Sequence, residues 1–357
     1  MNRVDTQILR IDDTLSSEER SLALARAGSV LAAGGLVIFP TETVYGLGAN
    51  ALDAQAVRRI YEAKGRPSDN PLIAHVADFS EISRVACLSG GEIRDKAETL
   101  AAQFWPGPLT MVLPKRKEVP KETSGGLDTI AVRCPDQEIA RELIRCAHCP
   151  VAAPSANRSG RPSPTEVSHC IEDMDGRVDL IIDAGRCSVG IESTIVDLTG
   201  EKLSILRQGM IGAAQIAKAL SVPLRSITYP QTGREDPPRA PGMKYRHYAP
   251  RGEMTVYTGT REQITRELCE ALEKDRRAGK KTGVLCADER VALYKADVII
   301  TYGSEKDYPA AARRLYGALR EMDAQQVEAV RAEAIDHPAL MDRLLRAAGQ
   351  NGGQSNQ

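Results

Sequence analysis

Apolar residues along the first two hundred positions come in two textures: short β-branched runs, and longer stretches where they return every third or fourth residue. Ser16-Ser17-Glu18-Glu19 is a capping box opening a helix through Leu22, Leu24, Val30 and Leu31, which Gly34-Gly35 closes. LVIFP (36–40) then reads as a buried strand. Asp53 caps a second helix, AVRRIYEAK, that stops at Gly65. PLIAHV, LTMVLP, TIAVR, PVAA, VDLIID, STIVDL and LSILR follow as further strands, with helical stretches near 92–104, 136–147 and 164–173. Strands outnumber helices and do not alternate strictly with them. The pattern therefore predicts an α/β domain built on a mixed sheet with helices packed on it, not a repeated βαβ unit.

From Val222 to Arg251 the periodicity lapses, and six prolines mark a linker. Beyond it, MTVYT, a helix over 262–278, TGVLCA, DVIIT, a helix over 308–322, VEAVRAEAI and a helix over 339–347 alternate in order. That alternation predicts a small parallel α/β domain. The expected boundaries are 1–220 for the first domain, 221–251 for the linker, 252–348 for the second domain, and 349–357 for a disordered tail. Nearly thirty residues is long for an inert connection, and its centre, KYRHY, sets two cations, a His and two Tyr between prolines. An exposed tether and a strap closing over a site in the first domain both fit.

Composition narrows the function. A length of 357 residues accommodates two domains, and 42% hydrophobic with 27% charged residues is ordinary for a globular chain. With a net charge of -1 and only 4% aromatics, the chain lacks the global field and stacking platforms of a general nucleic-acid binder. The N-terminus shows no signal-peptide core and no run reaches membrane-span length, so a cytoplasmic protein is expected. Eight irregularly spaced cysteines fit reduced thiols; Cys146-Ala-His-Cys149 lacks the second ligand pair a zinc site would bring, and no metal site is expected.

Several stretches carry candidate chemistry. Gly46 to Ala51 satisfies GxGxxA, but PTETVY separates it from the preceding strand and the next strand ends without an acid, so tight-turn glycines are expected instead of a dinucleotide fingerprint. No P-loop pattern occurs. In KGRPSDNP (64–71), Arg66 and Asn70 sit in a proline-bracketed loop suited to phosphate oxygens, whereas Lys64 alone is ordinary helix-end chemistry. PTET (40–43) places hydroxyls and a carboxylate at a strand's carboxyl end, where α/β crevices open. VAAPSANRSGRPS (151–163), IEST (191–194) and LRQG with Arg207 add donors of the kind an anionic ligand needs.

In order, PTETVYGLG, YEAKGRPSDNPLIAHV, WPGPLTMVL, VRCP, APSANRSGRPSPT, ESTIVDL and LRQGMI resemble the threonylcarbamoyl-adenylate synthase family, the YrdC/Sua5 group. The linker APGMKYRHYAP and the domain after it resemble the longer, Sua5-type branch, in which a YrdC-like catalytic domain is followed by a small Rossmann-like one. The resemblance spans about residues 16–345, with Ala240 standing where Ser is more usual. It implies condensation of L-threonine, bicarbonate or CO2, and ATP into threonylcarbamoyl-AMP and pyrophosphate, the first step of t6A formation at position 37 of tRNAs. The product would pass to a separate transferase, and any tRNA contact would be weak or indirect. A double-stranded RNA or tRNA-binding module of the YrdC type is the alternative. The resemblance places ATP on Lys64, Arg66, Asn70, Thr129, Ser155, Asn157, Ser163 and Arg207, with Arg246 of the strap added on closure. It places threonine on Thr43, His75, Arg133, Ser193 and the backbone near Ala153. Mg²⁺ is expected with the triphosphate, held by at most one or two protein carboxylates. No protein nucleophile is required, since such chemistry rests on positioning and charge neutralisation, for which Lys64 and Arg66 are the leading candidates.

Overall fold

The computed structural model describes residues 3–12, 14–68, 70–230 and 248–350. By internal contacts the chain forms two compact units, the second of which also takes in Gly160–Ser163 and Val189–Ile191. The described residues include no helix long and apolar enough to cross a membrane.

The first unit runs β1 (Gln7–Arg10), α1 (Ser17–Ala32), β2 (Val37–Phe39), β3 (Gly46–Asn50), α2 (Ala54–Lys64), β4 (Ile73–His75), α3 (Glu92–Phe104), β5 (Leu109–Pro114) and α4 (Lys121–Ser124). It continues with β6 (Thr129–Arg133), α5 (Glu138–Ala147), β7 (Val151–Ala152), α6 (Val167–Met174), β8 (Leu180–Asp183), β9 (Thr194–Asp197), β10 (Ser204–Arg207) and α7 (Ala213–Ala219). Local chemistry sets the ends. Ser16 and Glu19 complete the capping box at the start of α1, Asp53 accepts from the amides of Gln55 and Ala56, and Gly65 ends α2 in the left-handed region at φ 62°.

The ten strands form one sheet in the order β1-β8-β2-β3-β7-β4-β6-β5-β9-β10, with parallel and antiparallel pairs mixed as the irregular alternation predicts. Its two faces differ. One carries the main core, where Ala74, Val132, Met111 and Val196 meet α2, α3, α6 and α7 through Ile60, Leu100, Met174 and Ile216. On the other face, α1 and α5 pack Leu24, Leu31, Leu143 and Ile144 against Val37, Phe39, Val151 and Ile182. Farther along that face lies a smaller apolar group, Ile73, Val112, Ala131, Ile195 and Leu206, with no helical member. The face of β4, β6, β5, β9 and β10 is thus where polar groups can gather.

Gly46 and Gly48 sit inside β3 and not in a tight turn. A Cβ on Gly48 would lie 2.8 Å from the Phe39 ring and 2.9 Å from a Val151 methyl, so the glycines let neighbouring strands' side chains cross over β3. Three elements carry too little periodicity to be read from the sequence: β1 with four residues, α4 with four, and α7 with seven. The start of the proline-rich stretch is packed, since a short helical turn over Leu224–Ser226 leads to Thr228, whose amide bonds Leu203 O at 2.9 Å.

The second unit alternates β11 (Glu253–Tyr257), α8 (Arg261–Arg277), β12 (Thr282–Cys286), β13 (Val298–Thr301), α9 (Tyr308–Ala324), β14 (Ala329–Glu333) and α10 (Pro338–Ala348). Its four strands are parallel in the order β11-β14-β12-β13, as the strict alternation predicts. Leu268, Leu272, Val284, Cys286 and Tyr294 form a core cluster within it.

Candidate active site

Pro40 ends β2, and the hydroxyl of Thr41 then builds a turn by accepting from the Thr43 and Val44 amides at 3.3 and 3.2 Å while donating to Val44 O at 2.6 Å. This turn carries Glu42 and Thr43 into the interior, where they are 5% and 0% exposed. Arg133, at the end of β6, meets them there. Its Nη1 donates to Thr43 Oγ1 at 2.9 Å, its Nε to Gly107 O at 3.3 Å, and its Nη2 lies 2.6 Å from Glu42 Oε1. That last contact is close but off-axis: neither carboxylate oxygen of Glu42 nor Arg133 Nη2 completes a hydrogen bond of good geometry. The ion pair therefore retains unspent donor and acceptor capacity in a buried place.

His75 is the cross-strand partner of Arg133 on the same face. Its Nδ1 lies 3.2 Å from Ile73 O, and its ring meets Phe39 edge-on at 6.2 Å. Burial, aided by the Arg133 charge, pushes its pKa down to about 3. The ring is a neutral imidazole at physiological pH. Its folded pKa lies below the ordinary 6.5, so the unfolded chain binds the extra proton between those values. Its stabilising contribution is whole above pH 6.5 and is lost as pH falls toward 3, by about 1.4 kcal/mol per pH unit. Urea unfolding of His75→Gln at pH 4, 5 and 7 is expected to show a shallower acid limb than the parent; equal slopes would contradict the neutral buried ring.

Ser193, just before β9, is bonded to Thr110 by hydroxyl contact at 2.7 Å. Arg207, at the end of β10, donates through Nε to Ser193 O at 3.0 Å and through Nη2 to Ser193 Oγ at 3.1 Å. A second buried guanidinium thus orients a hydroxyl on the same face.

The SAN segment is held from below. Lys64 is buried at the end of α2, and its Nζ donates to the carbonyls of Ser155 and Asn157, the latter at 2.5 Å. Burial chiefly, and Arg66 next, hold its pKa well below the usual lysine range, against the pull of Asp173 and Cys170. Ser155 Oγ donates to Asn157 Oδ1 at 2.5 Å, and Asn157 Nδ2 to Arg158 O at 2.8 Å, so the loop is closed on itself. Lys64 is therefore more than a helix-end charge: it ties α2 to the loop after β7. Arg66 Nη2 folds back onto Asn70 O and Pro71 O at 3.2 and 3.3 Å. Asn70 is fully buried, yet both polar atoms of its amide lack a partner, an unusual cost unless something else binds there.

The structure brings the candidates together in groups: Thr43, His75 and Arg133; Ser193 and Arg207; Lys64, Ser155 and Asn157; Arg66 and Asn70. Chain continuity links the first and third, because Gly46, three positions after Thr43, bridges Ser155. Ala153 bonds through its amide to Ile73 O at 3.0 Å, and Thr129 opens β6 on the same face as Arg133. Ser163 is buried but falls in the short stretch that clusters with the second unit. Arg246 and Tyr245 lie outside the described residues, with the rest of 231–247 of the linker. Thr110, the one hydroxyl in the apolar run LTMVLP, was missed by sequence reasoning, and Glu42, the carboxylate singled out in PTET, was given no role by it.

A mixed-sheet domain with paired guanidinium, hydroxyl and carboxylate groups on one face, followed by a parallel α/β unit, defines a class of protein that has been seen before. A model described as telomere recombination, covering Sua5, YciO and YrdC proteins, matches residues 29–209, and one described as the threonylcarbamoyl-AMP synthase C-terminal domain matches 211–349. A threonylcarbamoyl-AMP synthase of Pyrococcus abyssi is 46% identical over 328 residues, covering 90% of this chain and 93% of that one. One of Bacillus subtilis is 40% identical over 344 residues, covering 95% and 96%. The crystal structure of P. abyssi Sua5 complexed with L-threonine matches with a TM-score of 0.87 at 43% identity, covering 96% of this chain and 97% of that one. The chain belongs to the Sua5/YciO/YrdC family, in the form that carries the threonylcarbamoyl-AMP synthase C-terminal domain.

Proposed function

We propose that this chain is an enzyme that condenses L-threonine, CO2 from bicarbonate, and ATP into L-threonylcarbamoyladenylate and pyrophosphate, the first step of t6A formation in tRNA. Full-length likeness to threonylcarbamoyl-AMP synthases supports the activity, and the observation that carries it to a site is the Arg133 group. A guanidinium whose Nη1 is aligned by Thr43, whose Nε is held by Gly107 O and whose Nη2 lies beside Glu42 without completing a hydrogen bond has donors left for a substrate carboxylate. Hydroxyls at Thr43 and Ser193, each already oriented by a guanidinium, match the hydroxyl of threonine, so a valine in the same place would forgo the hydrogen bonds that threonine makes.

The chemistry follows from positioning. The threonine nitrogen takes up CO2, a carbamate oxygen attacks the α-phosphorus, and pyrophosphate departs. Lys64, by fixing the Ser155 and Asn157 carbonyls, shapes the loop that would receive the phosphates. Arg66 would add charge, the Asn70 amide would gain the partners it lacks, and Arg207 would supply a further cation. Thr129, Ser163 and, from outside the described residues, Arg246 complete the proposed nucleotide contacts. His75 and the Ala153 backbone complete those to threonine. Mg²⁺ would enter on the triphosphate, held mainly by its oxygens and water, as it usually is. The product, a labile adenylate, would be consumed by a transferase acting on tRNA in the cytoplasm.

Pyrophosphate release from ATP tests this directly. Release is expected only when threonine and bicarbonate are both present, with valine supporting it at least about a hundredfold less well. Release indifferent to threonine, or none beside salt-dependent binding of double-stranded RNA, would overturn the reading.

A further inference from the structure

The Thr41 turn spends a sequence position on a carboxylate that the proposed chemistry has not yet used. Glu42 is buried, the Arg133 guanidinium beside it lies off-axis, and both its oxygens lack a well-formed hydrogen bond. A buried carboxylate left in this state is costly, and it draws in a donor. Arg133 beside it faces the mirror situation through Nη2. An anion and a cation side by side, each with capacity to spare, are complementary to a zwitterion. The carboxylate of an α-amino acid would take Arg133, and its ammonium, three donors and a positive charge, would take Glu42.

We propose that Glu42 binds the substrate ammonium and accepts the proton that must leave it before the nitrogen can react; this rests on the synthase reading above. The nitrogen of bound threonine is an ammonium with no lone pair. One N–H proton passes to a Glu42 oxygen, which frees the pair. That pair forms the N–C bond to CO2 while the C=O π electrons move onto oxygen, and a second N–H proton leaves to water. The sum is R–NH3⁺ + CO2 → R–NH–COO⁻ + 2H⁺, with Glu42 later returning its proton to solvent. No oxidant or further reactant is needed.

The other groups around Glu42 do not compete for this proton. Burial keeps His75 neutral. Burial chiefly raises the Cys134 thiol to about 12, with the nearby Glu42 charge adding to it, and burial and Glu42 likewise push the Cys187 thiol upward. Between pH 7 and 9 the substrate amine is thus the group free to titrate.

Glu42→Gln keeps the shape and removes the proton acceptor. Its kcat for threonine-dependent pyrophosphate release is expected to fall about a hundredfold near pH 7, with the deficit shrinking as pH rises toward 9 and solvent supplies the free amine. Glu42→Asp should keep part of the rate. In calorimetry the parent is expected to prefer L-threonine over (3R)-3-hydroxybutyrate, which lacks only the amine, and Glu42→Gln to lose most of that preference. A threonine KM raised at unchanged kcat, a deficit constant across pH, or an unaltered preference between the two ligands would overturn the proposal and leave Glu42 as a prop for Arg133. Pyrophosphate release by the parent that ignores threonine would instead overturn the synthase reading, and this inference with it.

Discussion

Arg133→Ala is expected to abolish threonine-dependent pyrophosphate release and, in the same variant, to cost the fold about 3–5 kcal/mol. The two losses have different origins. Activity goes because the proposed carboxylate clamp goes, and a bidentate charge-assisted pair has no substitute among the neighbouring hydroxyls. Stability goes because Glu42, 5% exposed, is left as a buried anion without its cation, and Thr43 Oγ1 and Gly107 O each lose a donor. The companion variant Glu42→Ala/Arg133→Ala separates these causes. Removing both charges of a buried pair is far cheaper than removing one, so the double variant should unfold at a higher urea concentration than Arg133→Ala while remaining inactive. Equal stability of the single and double variants would mean that the pair is not electrostatically coupled, and threonine turnover by Arg133→Ala would remove the clamp.

How far the sequence announced this arrangement depends on which physical signal each part leaves. Long amphipathic helices and capped ends are local, so Ser16, Asp53 and Gly65 mark α1 and α2 where the structure has them. Strict alternation likewise announced the parallel sheet of the second unit. What stayed hidden is non-local. The order of the ten strands follows from pairings across the whole first unit, and β1 pairs with β8 more than 170 positions away. The glycines of GLGAN look like a turn because glycine is a local turn former; only the Phe39 ring and the Val151 methyl crossing over β3 reveal the actual reason for them. At the site, motif likeness selected Thr43 and Arg133 but said nothing of the partner joining them. Glu42 was a carboxylate in PTET without a role, and Lys64, placed on ATP by likeness alone, was by its own local chemistry a helix-end charge. Burial changed the meaning of both, and burial is a tertiary quantity.

Lys64→Met carries the second large expectation: a loss of about a hundredfold in pyrophosphate release with only a small change in stability near neutral pH. The stability terms oppose one another. Met leaves the Ser155 and Asn157 carbonyls without a donor, at about 1–3 kcal/mol each, but it also removes a cation whose burial is unfavourable. The sign of the second term can be measured. The folded-state pKa of Lys64 is depressed below its ordinary 10.5, so between the two values the unfolded chain holds the extra proton. The burial cost is whole below the folded pKa and is relieved as pH climbs toward 10.5; the parent should gain stability along that limb, and Lys64→Met should lack the gain. The catalytic loss has a different test. A lysine that works by pinning the SAN loop shares its effect with the loop, so adding Asn157→Ala to Lys64→Met should cost little more. A lysine that touches phosphate directly acts beside the loop, and the two losses should then multiply. The double donation to Ser155 and Asn157 predicts the first outcome, and multiplied losses would move Lys64 from the loop's support to the nucleotide itself.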